Sequence, residues 1–265
     1  MKAIVFDLDD TLLHDDLSIS AYTAGILRRL HDEGFLIIPA SGRAKDSMMP
    51  FVSFLGCTDF FISCNGAEIW CSQTGELLHR TAFPVSVCHE IAAYGEMKNC
   101  YTQTYDCGMF YYSVESEWAE RYRQSSMLPG TYVGSLLRFI KEPRSKILMM
   151  DTPEKIAGML VEARRLFEGK ASVTCSKPYF LEFNPPDATK GKAVSFIAGA
   201  NKLSLSDVIC FGDSINDLSM LTACGMGVAV GNARDDVKCM CNTVCDSNNN
   251  DGVARFLADQ FKLSL

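Results

Sequence analysis

Lys2-Ala3-Ile4-Val5-Phe6 followed by Asp7-Leu8-Asp9-Asp10-Thr11-Leu12 is the stretch on which the reading of this chain turns. Ala3 to Phe6 is a short, wholly apolar run, the pattern of a buried strand. The acidic residues stand directly at its carboxyl end, the edge at which open α/β sheets bind their ligands. In extended backbone, residues two apart point the same way, so Asp7 and Asp9 can face one site. Two like charges that close repel unless a cation or a shared proton offsets them. The pair suits a hard divalent ion such as magnesium. It also suits a division of labour in which one carboxylate attacks and the other handles protons. Taken alone, it equally fits an acidic turn after a strand.

Outward from this strand the chain alternates. Ser20 is placed to cap a helix carrying Ile26, Leu27 and Leu30 at helical spacing, and Gly34 closes it. A second buried strand is expected over Phe35 to Ala40, a helix interrupted by Pro50 over Ala44 to Leu55, and a third strand over Asp59 to Ser63. Asn65-Gly66 and Gln73 to Gly75 are turn signals with short strands beside them. The alternation resumes late in the chain. Helices are expected over Lys190 to Ala200, Asp217 to Thr222, Asp235 to Met240 and Val253 to Phe261, with strands over Val208 to Phe211 and Gly227 to Val230. That order predicts a parallel sheet covered by helices, built from both ends of the chain. The middle reads differently: a helix over Val87 to Met97, then strands near Tyr101 to Tyr105, Met109 to Val114, Lys146 to Met150, Val173 to Cys175 and Tyr179 to Phe183, with a helix starting at Pro153. The fold expected is α/β: a core domain of residues 1–82 and 186–265 with an α+β domain of residues 83–185 inserted.

Three further motifs sit where chemistry could gather. Gly212-Asp213-Ser214-Ile215-Asn216-Asp217 again puts acidic residues at a strand's carboxyl end, and Asp213 and Asp217 can converge at i, i+4. A helix N-cap accounts for part of this but does not require a cluster that matches the first. Ser41-Gly42-Arg43 offers a hydroxyl and a glycine N–H at a helix start, a phosphate cradle or an ordinary cap. Lys190-Gly191-Lys192 places a cation where the helix dipole opposes it. A nearby phosphate or carboxylate cluster would justify it; so would simple solvation of the lysine.

Composition narrows the field. The 265 residues carry a net charge of −7 and no dense Lys/Arg cluster, which argues against nucleic acid or an anionic membrane as partner. No apolar run reaches the ~18 residues of a membrane span. The N-terminus runs straight into a strand without the marks of a signal peptide, so a cytoplasmic protein is expected. The 12 cysteines show no C-x-x-C spacing and no histidine beside Cys239, Cys241 and Cys245, so reduced, buried thiols are expected. No repeat or heptad points to an oligomer, and a monomer is expected.

The four motifs, in this order, closely resemble the haloacid-dehalogenase (HAD) superfamily of phosphatases, in particular its Cof-type branch, which carries an α/β cap between the second and third motifs. Asn65-Gly66-Ala67, Val228-Ala-Val-Gly-Asn-Ala233 and Asp251-Gly252-Val253 belong to the resemblance, which spans nearly the whole chain. It implies a Rossmann-like three-layer core with the insertion as cap. It implies Asp7 as nucleophile and Asp9 as general acid/base, with Mg²⁺ held by Asp7, the backbone carbonyl of Asp9, and Asp213, and Asp217 supporting from behind. It implies phosphoryl-oxygen contacts from Ser41, Lys190, Asn216 and the backbone of Leu8 and Gly42, and Arg43 could reach the substrate. The implied activity is a magnesium-dependent phosphatase for a small phosphorylated metabolite, a sugar phosphate or phosphorylated cofactor, working through an aspartyl-phosphate.

Asp10 stands where glycine is frequent in the family, and Ser41 where threonine is also common. Dehalogenases lack the second aspartate. A sugar phosphomutase keeps both and stands as the alternative. A non-catalytic phospho-ligand-binding regulator would be expected to have lost Asp7, Asp9 or Lys190. No G-x-x-x-x-G-K-[ST] is present, which removes P-loop nucleotide hydrolases. The tyrosine-rich segment Tyr101 to Tyr112 reads either as a stacking surface for a ring or as an aromatic hairpin core.

Overall fold

The computed structural model describes residues 2–263. Along the chain come β1 (Ala3–Phe6), α1 (Ala21–Asp32), β2 (Leu36–Pro39), α2 (Lys45–Leu55), β3 (Phe60–Ser63), β4 (Glu68–Cys71) and β5 (Leu77–Arg80). Next are α3 (Val85–Met97), β6 (Tyr101–Asp106), β7 (Met109–Tyr112), α4 (Glu117–Ser126), β8 (Gly130–Tyr132), α5 (Leu136–Phe139), β9 (Ile147–Met150), α6 (Pro153–Leu166), β10 (Ser172–Thr174) and β11 (Phe180–Asn184). The chain closes with α7 (Lys190–Ala200), β12 (Val208–Gly212), α8 (Leu218–Leu221), β13 (Met226–Ala229), α9 (Asp235–Lys238), β14 (Thr243–Val244) and α10 (Gly252–Phe261). It divides into two compact units, one of Met1–Gly42, Met48–His79 and Thr189–Leu265, the other of Arg43–Ser47 and Arg80–Ala188.

The first unit is α/β. Its five-stranded sheet runs β14-β13-β12-β1-β2, every pair parallel, with Phe6 level with Phe211 on one side and Pro39 on the other. A parallel bridge from Ala40 to Ile62 leads to a three-stranded sheet, β3-β4-β5, in which β3 and β4 pair antiparallel. β1 is flanked on both edges and every residue of it is buried, which is why it reads as an unbroken apolar run rather than an alternation. α1 starts as expected: Ser20 Oγ accepts the Thr23 N–H at 2.9 Å, and Ile26, Leu27 and Leu30 are buried. The expected helix from Asp217 begins instead at Leu218, because Ile215 to Asp217 form a tighter single turn that Asp217 itself braces.

The second unit has its own core, around Phe83, Ile91, Ile147, Met149, Leu181 and Phe183. Its six-stranded sheet, β10-β11-β9-β6-β7-β8, is antiparallel except for β7 with β8. α6 is set by its sequence: Pro153 takes the first position and Thr152 Oγ1 caps it. α4 has no counterpart in the sequence reading. It is a polar helix whose buried residues are Ala119, Tyr122 and Ser126. The readable signals were local: Ser116 as cap, and Glu117 four residues before Arg121, an ion pair of 2.8 Å. In the tyrosine-rich segment the rings pack on one another, Tyr101 on Tyr112 at 5.8 Å and Phe110 edge-on to Tyr122 at 5.1 Å, which makes them a hairpin core.

No disulfide joins any of the twelve cysteines, all of which lie among the described residues. Cys88 and Cys210 are buried as expected, whereas Cys175 is only half-buried, and Cys107 and Cys239 are exposed because they lie in a turn and beyond the last turn of α9. Among the described residues no helix is long and apolar enough to cross a membrane.

Candidate active site

β1 delivers Asp7 to the carboxyl edge of the sheet. The Asp7 N–H extends the β1–β12 ladder by donating to the Phe211 carbonyl (3.0 Å), and its side chain is buried. The chain then turns sharply over Leu8 to Leu12, with Asp10 in the left-handed region at φ +58°. That explains the departure at position 10: glycine enters this region without cost, and aspartate is among the side chains that tolerate it. The turn is held from outside, since Asn232 Nδ2 donates to the Asp10 carbonyl at 2.7 Å.

The second acidic motif is organised by Asp217. Its Oδ2 accepts the N–H groups of Asp213 (3.1 Å) and Ser214 (3.0 Å), and its Oδ1 accepts Lys190 Nζ (2.6 Å). Both oxygens of this fully buried carboxylate are therefore engaged by the protein. Gly212 is obligatory here: a Cβ would lie 2.5 Å from Asp217 Cβ. Thr11 Oγ1, from the first motif, donates to Asp213 Oδ1 at 3.2 Å and links the two loops.

Lys190 is the first residue of α7, capped by Thr189 Oγ1, which accepts the Lys192 N–H at 3.2 Å. Its side chain is 0% exposed, with Nζ 2.5 Å from Asp7 Oδ1 and 2.6 Å from Asp217 Oδ1. A buried ammonium needs such partners. Burial opposes its charge, but Asp217 and Asp7 outweigh that and hold the Lys190 pKa above the ordinary lysine value. The cation at a helix start is thus answered by carboxylates.

One oxygen each of Asp7, Asp213 and Asp217 lies within 4.8 Å of the others. Asp9, the second carboxylate of the first motif, is half-buried in the turn and its side chain is outside this trio. Ser41 follows β2, buried, with its N–H donating to the Ile62 carbonyl at 2.8 Å. Asn216 Nδ2 donates to Asn65 Oδ1 at 3.0 Å. Leu8 is buried beside Asp7, and Gly42 is half-buried next to Ser41. Arg43 belongs to the second unit, where its Nη1 donates to Ser47 Oγ (2.9 Å) and to the Ser125 carbonyl (3.0 Å). Thr11, Asn65 and Asn232 were not singled out for a role in the sequence. Their signal in the sequence is membership of the stretches that carry the family resemblance, Asp7 to Leu12, Asn65-Gly66-Ala67 and Val228 to Ala233.

A family model of haloacid dehalogenase-like hydrolases matches residues 4–257. The chain belongs to this family. It is 28% identical to the 5-amino-6-(5-phospho-D-ribitylamino)uracil phosphatase YitU of Bacillus subtilis, over 98% of this chain and 97% of the relative. It is 26% identical to the pyridoxal phosphate phosphatase YbhA of Escherichia coli, over 97% of each. Among solved structures, a haloacid dehalogenase-like hydrolase from Bacteroides thetaiotaomicron matches with a TM-score of 0.90 at 28% identity, over 98% of this chain and 99% of that one. The protein is a phosphoric monoester hydrolase of the HAD family.

The electrostatics of this HAD site fit a hard cation. Three carboxylates converge against one ammonium, and every donor is oxygen. Burial, with Asp217 adding repulsion, raises Asp213 to about 7, and burial pushes Asp7 well above the carboxylate range. A group whose folded pKa is raised stabilises the fold below its unfolded value and loses that contribution as pH rises through the folded value. In chelator, the melting temperature is therefore expected to fall as pH rises from 5, with the Asp213 contribution steepest below about 7 and levelling off above it. Asp213→Asn is expected to flatten that slope. Thermal melts from pH 5 to 8 check it, and equal slopes for both proteins would contradict it.

Proposed function

We propose that this chain hydrolyses phosphate monoesters of small metabolites by transferring the phosphoryl group to Asp7. What supports this most directly is the buried Asp7–Lys190–Asp217 arrangement at the end of the central strand, with Asp213 alongside. In the first step an Asp7 oxygen attacks phosphorus, the bond from phosphorus to the leaving oxygen breaks, and Asp9 delivers a proton to that oxygen. In the second step Asp9 takes a proton from water, the water oxygen attacks phosphorus, and phosphate leaves with Asp7 restored as a carboxylate. Lys190 neutralises Asp7 so that a dianionic ester can approach it. It also supplies positive charge near the phosphoryl oxygens, together with the Ser41 hydroxyl, the Asn216 amide and the N–H groups of Leu8 and Gly42. Asp217 holds Lys190 and the Asp213 loop in place through its three accepted hydrogen bonds.

Asp7, Asp213 and the Asp9 carbonyl are the groups that would hold Mg²⁺, which when bound supplies positive charge against the transferring phosphoryl group. Asp217, with both oxygens already engaged, is assigned a supporting place. The relatives' substrates, a phosphorylated ribitylaminouracil and pyridoxal phosphate, support a sugar phosphate or phosphorylated cofactor as the substrate.

The test is phosphate release from a panel of sugar phosphates, pyridoxal phosphate and flavin mononucleotide, with magnesium or with chelator. Release from at least one compound, lost in chelator and restored by magnesium, is expected. Formation of an isomeric sugar phosphate without phosphate release would replace the reading with a phosphomutase.

A further inference from the structure

We propose that Asn65 is a positioning residue that holds the Asn216 amide, and the Ser41–Gly42 loop with it, in phosphoryl-binding geometry. The inference rests on the reading of Ser41, Gly42 and Asn216 as phosphoryl contacts. Asn65 touches all three. Its backbone N–H donates to the Ser41 carbonyl at 3.0 Å. Its Oδ1 lies over Gly42, 2.9 Å from where a Cβ on that glycine would stand. The same oxygen accepts Asn216 Nδ2 at 3.0 Å, across a sequence separation of 151 residues.

Asn216 has little else to hold it. Its Oδ1 is buried and makes no hydrogen bond among the described residues, so the bond to Asn65 is what orients the amide. A carboxamide nitrogen carries two hydrogens in a fixed plane. With one committed to Asn65, the direction of the other is set, which leaves it as a pre-aimed donor for a phosphoryl oxygen.

The backbone is arranged to present Asn65 in this way. Cys64, Asn65 and Gly66 are consecutive residues with φ of +50°, +57° and +99°. The left-handed turn puts the buried Asn65 side chain against Gly42 and Asn216. Gly66 lets the turn close on α7: a Cβ there would lie 2.3 Å from the Thr189 carbonyl carbon. Asparagine is among the side chains that accept such backbone, and it also brings the acceptor oxygen.

Asn65→Gly tests this, because glycine keeps the left-handed backbone and removes only the amide. The variants are Asn65→Gly, Asn216→Ala, the double variant of these two, Asn65→Asp, which retains an acceptor oxygen, and Asn65→Asp combined with Asn216→Ala. Each is measured for kcat and KM on p-nitrophenyl phosphate, for inhibition by inorganic phosphate, and for melting temperature. Asn216→Ala is expected to lower kcat/KM and weaken phosphate inhibition by about tenfold or more, the size of a hydrogen bond to a charged group. Asn65→Gly is expected to show a similar loss with little change in melting temperature. The double variant is expected within about twofold of Asn216→Ala, the non-additivity of residues that act through one another. In the Asn65→Asp background, Asn216→Ala is expected to cost as much as in the parent, whatever the added charge does to the absolute rate. Losses that multiply in the double variant, or a silent Asn65→Gly, would overturn the positioning role alone. A silent Asn216→Ala would overturn the phosphoryl role of Asn216, and the positioning role with it.

Discussion

Asp7→Asn is expected to release no phosphate above background while folding to a protein at least as stable as the parent. The amide is a poor nucleophile and cannot form the acyl phosphate, so kcat is expected to fall on the order of 10⁴-fold or more. Stability moves the other way. Burial pushes the Asp7 pKa well up, so its ionised form is disfavoured by the fold and removing the charge relieves that cost at neutral pH. Lys190 is not orphaned, because Asp217 Oδ1 lies 2.6 Å away and the new carboxamide oxygen can still accept from it. The check is phosphate release beside thermal melts in chelator. A folded variant retaining a tenth of the parent's turnover would remove Asp7 as the attacking group.

Lys190→Met has the largest expected cost to the fold. It leaves Asp7 and Asp217, both buried, without their cation. Removing one partner of a buried ion pair costs about 3–5 kcal/mol. For a domain of this size that lowers the melting temperature on the order of 10 °C. The loss depends on pH in a definite direction. Lys190 normally pulls the Asp7 and Asp213 pKa values down, so without it both rise further. Carboxylates with raised pKa are tolerated when protonated and destabilise as they ionise, so the deficit is expected to be smallest near pH 5 and to widen towards pH 8. Turnover is expected to fall by roughly 10²–10³, as for other lost electrostatic stabilisers. Melts of parent and variant at both pH values decide it; identical curves at pH 8 would mean that Lys190 does not carry this charge balance.

The parts of the fold legible in advance were those whose signal is local. β1 and β12 are unbroken apolar runs because consecutive side chains, which point to opposite faces of the sheet, are all buried. α7 was read with its observed ends, Lys190–Ala200. α4 escaped because its few buried residues give too weak a periodicity, and its ion pairs are of the kind any exposed helix carries. Arg43 illustrates a limit at the site: its neighbour Ser41 is in the first unit, while its guanidinium is engaged by Ser47 and Ser125 of the second.

By itself the sequence determined that acidic residues follow two buried strands, that a lysine opens a late helix, and that the chain has the α/β pattern of a HAD hydrolase. Strand ends and helix starts are local features, and each motif carries its own punctuation. Only the tertiary structure decided which groups meet. Lys190 reaches Asp7 across 183 residues, and Asn65 reaches Asn216 across 151. Those distances follow from the parallel register that sets Phe6 beside Phe211, and from glycines that let Asp217 and Thr189 approach the backbone. Register and close approach belong to the packed sheet as a whole, and so no window of sequence contains them.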